Sequence, residues 1–189
     1  MSLLFINQVK TPGASLADVS DAVRSMAIKL GASADDLMTV MYFESRLNPA
    51  AKNPYGSASG LIQFTDSTAQ SLGTTTTALR NMSTIEQLPY VQKYLQRFAG
   101  KIGTLEALYL AVFYPAYLGK PANTVIPLSA AWVNANKVLD INNDGKITVG
   151  EVGQQIRAWR DSNAKKLGYI IGGGAVALLV VATILIFNA

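Results

Sequence analysis

A single glutamate, Glu44, stands at the end of an apolar run made by Leu37, Val40, Met41 and Phe43, and is followed at once by Ser45-Arg46-Leu47-Asn48-Pro49. Sixteen residues later comes a Gly-led apolar segment with one amide, Gly60-Leu61-Ile62-Gln63-Phe64. A carboxyl group among aromatic and aliphatic neighbours is kept from ionising by desolvation, which favours a proton-donating acid. Such an acid can protonate the leaving oxygen of a glycosidic bond. Helix chemistry alone leaves another reading open, a solvated helix-end carboxylate paired with Arg46 or a nearby Lys.

The rest of the composition narrows the chemistry. The chain has no Cys and no His. That removes disulfides, thiolate nucleophiles, Ser-His-Asp and Cys-His catalysis, and HExxH zinc sites. Acid-base work falls to the 12 Asp and Glu residues, with Lys and Tyr as less usual candidates. Between Leu37 and Ser83 the only acid besides Glu44 is Asp66, which follows Thr65 at an expected helix start where a dipole-stabilising role is the simpler reading. The usual glycosidase route uses two carboxyl groups. A lone acid suffices where the substrate supplies its own nucleophile.

A second oxygen-rich constellation runs from Asp140 to Glu151, DINNDGKITVGE, and matches the EF-hand loop D-x-[DN]-x-[DN]-G-x5-E at every specified place. Its donors are the side chains of Asp140, Asn142, Asp144 and Glu151 with the Lys146 carbonyl, and Gly145 allows the sharp turn. We expect a structural Ca2+ ion there, since the loop is single and has no Met-rich groove around it.

The elements that must position these groups read as helices. Ser15 caps a helix carrying Leu16, Val19, Val23, Met26, Ala27 and Leu30, which Gly31 ends. Ser33 caps the next, with Asp35 and Asp36 in its first turn, running to Glu44 and stopping before Asn48-Pro49. Residues 48–59 are loop by composition. A helical segment is expected from about Leu61 to Gly73, interrupted near Thr65-Asp66, and Thr74 to Thr77 as a connection. Ser83 and Glu86 form a capping box for a helix with Leu88, Val91, Tyr94, Leu95 and Phe98 on one face, ending at Gly100. Thr104 opens an apolar helix halted by Pro115, and helices flank the oxygen-rich loop. No useful strand-period alternation occurs, so the fold class is all-α. The N-terminal Leu3-Leu4-Phe5-Ile6 lacks the features of a secretory signal and is expected to pack on the domain.

Glu44-Ser45-Arg46-Leu47-Asn48-Pro49 and Gly56-Ser57-Ala58-Ser59-Gly60-Leu61-Ile62-Gln63-Phe64 together resemble the first two motifs of the soluble lytic transglycosylases. The resemblance covers roughly residues 15 to 130. It implies a lysozyme-like helical domain of the goose-type and lytic transglycosylase kind. Glu44 is then the single catalytic acid and base, with Ser57 and Gln63 lining the saccharide cleft and Ser45 steadying the glutamate. In that family the N-acetylmuramic acid 6-hydroxyl attacks C1, leaving a 1,6-anhydro end without water. The family's later Ala-Tyr-Asn-x-Gly motif is not kept. The corresponding stretch is Ala111-Val112-Phe113-Tyr114-Pro115, and Tyr117 stands near the family's further tyrosine.

Beyond Lys165-Lys166 the composition changes. Tyr169 to Phe187 holds no charge, and at about 1.5 Å per residue it spans roughly 28 Å, near the hydrocarbon thickness of a bilayer. We expect a single-pass C-terminal transmembrane helix there. The organisation is then 1–129 lysozyme-like domain, 130–164 helix-loop-helix packed on the same domain, and 165–189 anchor. Arg157, Arg160, Lys165 and Lys166 precede the span, and positive-inside bias keeps the domain on the cytoplasmic side. With no signal segment, the expected setting is the membrane of a lipid-containing phage particle that meets the wall during infection, otherwise the bacterial inner membrane. Net charge +4 and a pI near 9.3 suit an anionic partner such as wall or lipid. The basic residues are scattered without a nucleic-acid motif, so no nucleic-acid partner is expected. The expected partners are peptidoglycan glycan strands, lipid through residues 169–187, and other virion proteins. Three functions stay open at this point: a lytic transglycosylase, a non-catalytic virion or wall-binding protein on the same fold, and a hydrolysing muramidase.

Overall fold

The computed structural model describes residues 2–168. The segment 169–187, expected to cross a membrane, lies outside the described residues. Among the described residues no helix is long and apolar enough to do so. The fold is all-α: among the described residues, β pairing is limited to the isolated bridges Lys52–Ser59, Ser59–Phe64 and Val125–Thr148. The chain divides into two compact units at Thr104/Leu105.

The first unit contains α1 (Leu16–Leu30), α2 (Ala34–Ser45), α3 (Asp66–Ser71), α4 (Thr76–Arg80) and α5 (Thr84–Leu95). Local chemistry sets most of their ends. The Ser15 hydroxyl accepts the Asp18 N–H while the Asp18 carboxylate accepts the Ser15 N–H, and Gly31 closes α1 in the left-handed region at φ 66°. Val19, Val23, Met26, Ala27 and Leu30 are buried, and α1 packs on α2 and α5. Leu3, Phe5 and Ile6 are buried as expected, with the Phe5 ring stacked on Tyr42 at 4.6 Å and the Leu4 N–H bonded to Asp35 Oδ1 at 2.8 Å. This strap pins the N-terminus to the helix that carries Glu44.

Three expectations are corrected here. Leu61 to Phe64 is a turn rather than helix: Ser59 and Phe64 exchange both backbone hydrogen bonds, at 2.9 and 2.8 Å. Thr74 to Thr77 is not a plain connection, because the Thr75 hydroxyl accepts the Ala78 N–H and starts α4. The last helix of the unit stops at Leu95, with a 3-10 turn over Gln96–Phe98 before Gly100.

Gln87 of α5 explains the first of these. It is fully buried; its Oε1 accepts the Leu61 N–H at 2.9 Å, and its Nε2 donates to the Pro49 and Leu79 carbonyls at 2.7 and 2.6 Å. One side chain thus satisfies backbone groups on the loop after α2, on the Gly60–Phe64 turn and on α4. Gly60 is required beneath it, since its φ is +81° and a Cβ would meet Gln87 Oε1 at 2.6 Å. Gln87→Ala orphans three buried backbone groups, each worth about 1–3 kcal/mol. Chemical denaturation is expected to show a loss of about 3–5 kcal/mol, non-additivity included.

The second unit, from Leu105, contains α6 (Leu105–Phe113), α7 (Ala130–Ala135) and α8 (Val149–Lys166). α6 pairs with α8. Gly153 lets them approach, because a Cβ there would lie 2.8 Å from Glu106 Cγ, and Arg157 of α8 forms an ion pair with Glu106. This pairing places α6 in the same unit as α8. The Ile126 N–H bonds the Ile147 carbonyl at 2.9 Å and the Val149 N–H bonds that of Thr124 at 3.0 Å, tying the 124–126 segment to the start of α8.

Candidate active site

Glu44 lies in the last turn of α2. The helix is stopped by Arg46 and Leu47, both left-handed, at φ 57° and 54°. That conformation costs a non-glycine residue about 1–2 kcal/mol, so it persists only where tertiary contacts hold it. Here the Leu47 side chain is fully buried and its carbonyl accepts the Lys10 N–H at 3.0 Å. The tight reversal takes the chain off α2 immediately after the glutamate.

The alternative reading pairs Glu44 with Arg46 or a nearby Lys. The Arg46 guanidinium stands over the Tyr42 ring, 5.3 Å from its centroid. Glu44 Oε1 is sealed from solvent with no hydrogen-bond partner among the described residues, although the residue as a whole keeps partial exposure. Desolvation pushes its carboxyl up to about 8. At neutral pH the group therefore carries a proton it can give.

Ser45 is buried, and its hydroxyl lies 2.9 Å from the Met41 carbonyl and 3.0 Å from that of Leu61. Its one proton is shared between them, so it steadies the helix end against the Gly60–Phe64 turn and leaves the Glu44 carboxyl alone. Gln63 sits in that turn in the left-handed region, φ 53°, half-buried, with its Nε2 on the Gly60 carbonyl at 3.0 Å. Its Oε1 takes no hydrogen bond from the described residues. Ser57 is exposed, and its carbonyl accepts the hydroxyl of fully buried Ser59 at 3.0 Å. Ser45, Ser57 and Gln63 thus belong to one hydrogen-bonded assembly around the Gly60–Phe64 turn, and Glu44 directly precedes Ser45 on α2.

Tyr94 of α5 joins it. Burial pushes its phenol up, the Arg97 guanidinium at 4.1 Å from the ring centroid pulls it down by charge and hydrogen bond, and the Glu44 carboxylate pushes it up again. It is within electrostatic reach of the acid, and its ring meets Phe64 edge-on at 6.2 Å. The apolar periodicity of α5 assigns Tyr94 to the core face, which is correct; nothing local marks its nearness to Glu44. Asp66 is exposed in the first turn of α3 and accepts the Thr76 hydroxyl at 2.5 Å.

The remaining expected site residues lie in the second unit. Tyr117 is half-buried in a 3-10 turn over Pro115–Tyr117, its ring T-shaped to Tyr114 at 5.2 Å. In the 140–151 loop the Asp140 oxygens accept the N–H groups of Asp144 and Gly145 at 3.0 and 2.9 Å. Asn142 Oδ1 accepts the Asp144 N–H and Asp144 Oδ1 that of Lys146, both at 2.9 Å. Glu151 closes a capping box on Thr148 and also accepts the Ile141 N–H at 3.1 Å. These are hard oxygens of the type calcium takes. In this arrangement they serve backbone N–H groups, and among the described residues no three Asp or Glu side chains gather as a metal cluster.

Residues 21–116, just over half of the 189, match the family model described as Transglycosylase SLT domain. No curated protein and no solved structure matches the chain.

Proposed function

The chain belongs to the transglycosylase SLT family, and from that premise we propose that it is a peptidoglycan lytic transglycosylase with Glu44 as its single acid and base. The observation that carries this reading is the buried Glu44 Oε1 without a partner, in a carboxyl pushed up to about 8. In the first half of the reaction Glu44 gives its proton to the glycosidic oxygen as the bond from C1 of N-acetylmuramic acid breaks. In the second half the carboxylate takes the proton of the same sugar's 6-hydroxyl as that oxygen bonds to C1. Glu44 ends protonated, no water is consumed, and the product carries a 1,6-anhydro end.

The competing hydrolysis needs a second carboxylate as base or nucleophile. Asp66, the one other acid between Leu37 and Ser83, is held at the start of α3 by Thr76, which favours the one-carboxyl route. Mass spectrometry of digested peptidoglycan tests this directly. Anhydro ends support the reading, reducing ends replace it with a muramidase, and no cleavage leaves a wall-binding protein.

The reading includes a calcium ion on Asp140, Asn142, Asp144, the Lys146 carbonyl and Glu151, supported by the donor types and their spacing. To ligate it, Glu151 exchanges its capping bonds for the metal. Calcium at a hundredfold excess over its Kd is expected to stabilise the fold by about 2.7 kcal/mol. A rise in the melting midpoint for the native sequence, absent in Asp140→Ala, is the expected result; equal midpoints with and without calcium in both would remove the site. The reading also has residues 169–187 anchor the domain in a lipid bilayer, that of a phage particle or the bacterial inner membrane, supported by their uncharged sequence behind four basic residues. Vesicle flotation of the full chain against residues 1–168 tests it.

A further inference from the structure

Arg80, the last residue of α4, is half-buried beside the Ser57 loop. Its Nη1 donates to Ser59 Oγ at 2.8 Å and its Nη2 to Thr77 Oγ1 at 3.0 Å. Ser59 passes the contact on, since its hydroxyl donates to the Ser57 carbonyl at 3.0 Å and its backbone closes the Phe64 bridge next to Gln63. The guanidinium therefore stands one hydrogen-bonded residue away from the Ser57 backbone and from Phe64, the chain neighbour of Gln63.

Both of its protein partners are neutral hydroxyls. Among the described residues no carboxylate pairs with Arg80, and Asp66 is engaged by Thr76 instead. A guanidinium is permanently charged and presents five donors in a planar fork that matches a carboxylate. Two hydroxyls use two of those donors and none of the charge. A neutral amide would serve the hydroxyls equally well. Partly desolvating a charge with no counter-charge is unfavourable unless a ligand supplies one.

We propose that Arg80 is a carboxylate-recognition residue of the saccharide-binding loop, taking an anionic group of the lactyl and peptide substituents of a peptidoglycan strand through its remaining N–H donors. The inference rests on the glycan-strand reading of the site. It assigns to this loop a fixed positive charge that Ser57 and Gln63, both neutral, do not supply. The acetamido and hydroxyl groups of the strand leave the guanidinium's charge unused, whereas a carboxylate meets it with two parallel bonds.

Binding separates this from the catalytic question. Calorimetry on the Glu44→Gln chain compares short glycan strands carrying free carboxylates with the same strands after conversion of those carboxylates to amides. The native strands are expected to bind about tenfold more tightly or better, in line with charge-assisted hydrogen bonds. Adding Arg80→Gln brings the ratio of the two Kd values close to one, and adding Arg80→Lys keeps part of it. Adding Lys52→Gln, an exposed charge on the same loop, leaves the ratio as it was. The same ratio with and without Arg80→Gln overturns the proposal, as does equal affinity for both strands before Arg80 is changed. Because a ratio is read, a general loss of fold in a variant lowers both affinities and does not imitate the expected result. Cleavage by the unmodified chain, measured separately, decides the transglycosylase reading whichever way the ratio falls.

Discussion

Glu44→Gln is expected to reduce peptidoglycan cleavage by at least about three orders of magnitude while the protein stays folded. General acid-base catalysis by one positioned group contributes about 10²–10⁴-fold, and here one residue gives the first proton and removes the second. Gln keeps the shape and the neutral charge that Glu44 has when protonated. It can hydrogen-bond in the same place, but it can neither give a proton to the glycosidic oxygen nor take one from the attacking hydroxyl. Circular dichroism unchanged from the native protein, with anhydro products lost from the mass spectrum, is the expected pair of results. Cleavage at the native rate would remove Glu44 from the chemistry and reopen the search among the other acids. Asp66→Asn serves as the matched control, because that carboxylate is spent on Thr76, and cleavage should change by less than about threefold.

The parts of this site that local sequence makes legible are those whose determinants lie within a few residues. Ser15 with Asp18, Ser33, and Ser83 with Glu86 cap their helices through bonds spanning three residues, and each can be read off the chain. Glu44 is legible for a similar reason, being the one acid at the end of an apolar helix. The Gly60–Phe64 segment is different. Its apolar residues fit a helical pattern, but its conformation is fixed by Gln87, 26 residues away from Leu61, and by the Ser45 hydroxyl, 16 residues away. Nothing near Gln87 distinguishes it from other polar residues of α5. Arg80 is hidden in the same way, since its meaning depends on Ser59, 21 residues earlier, and on the lack of a nearby counter-charge. The oxygen-rich loop shows the converse: its motif is complete in sequence, while in the folded chain its carboxylates are committed to backbone N–H groups and a helix cap.

The burial that makes Glu44 an acid also sets how stability and activity vary with pH. Its carboxyl is pushed up to about 8 from an ordinary value of 4.5. Between those limits the native state holds a proton that the unfolded chain has released, so stability falls as pH rises through the window. The full contribution is present below pH 4.5, declines at up to about 1.4 kcal/mol per pH unit, and has been lost above pH 8. Glu44→Gln has no such proton to lose. Its stability relative to the native protein should therefore match at pH 4, exceed it by at most about 3 kcal/mol at pH 7, and stop growing above pH 8. The partial exposure of the residue makes these upper figures. The kcat/KM of the native protein should descend through the same upper limit with a slope of one proton, because the unprotonated form cannot begin the reaction. Urea melts of both proteins at several pH values, read beside the rate profile, test one cause by two routes. A stability difference that does not change with pH would show that Glu44 titrates as an ordinary carboxylate, and the descending limb would then belong to some other group.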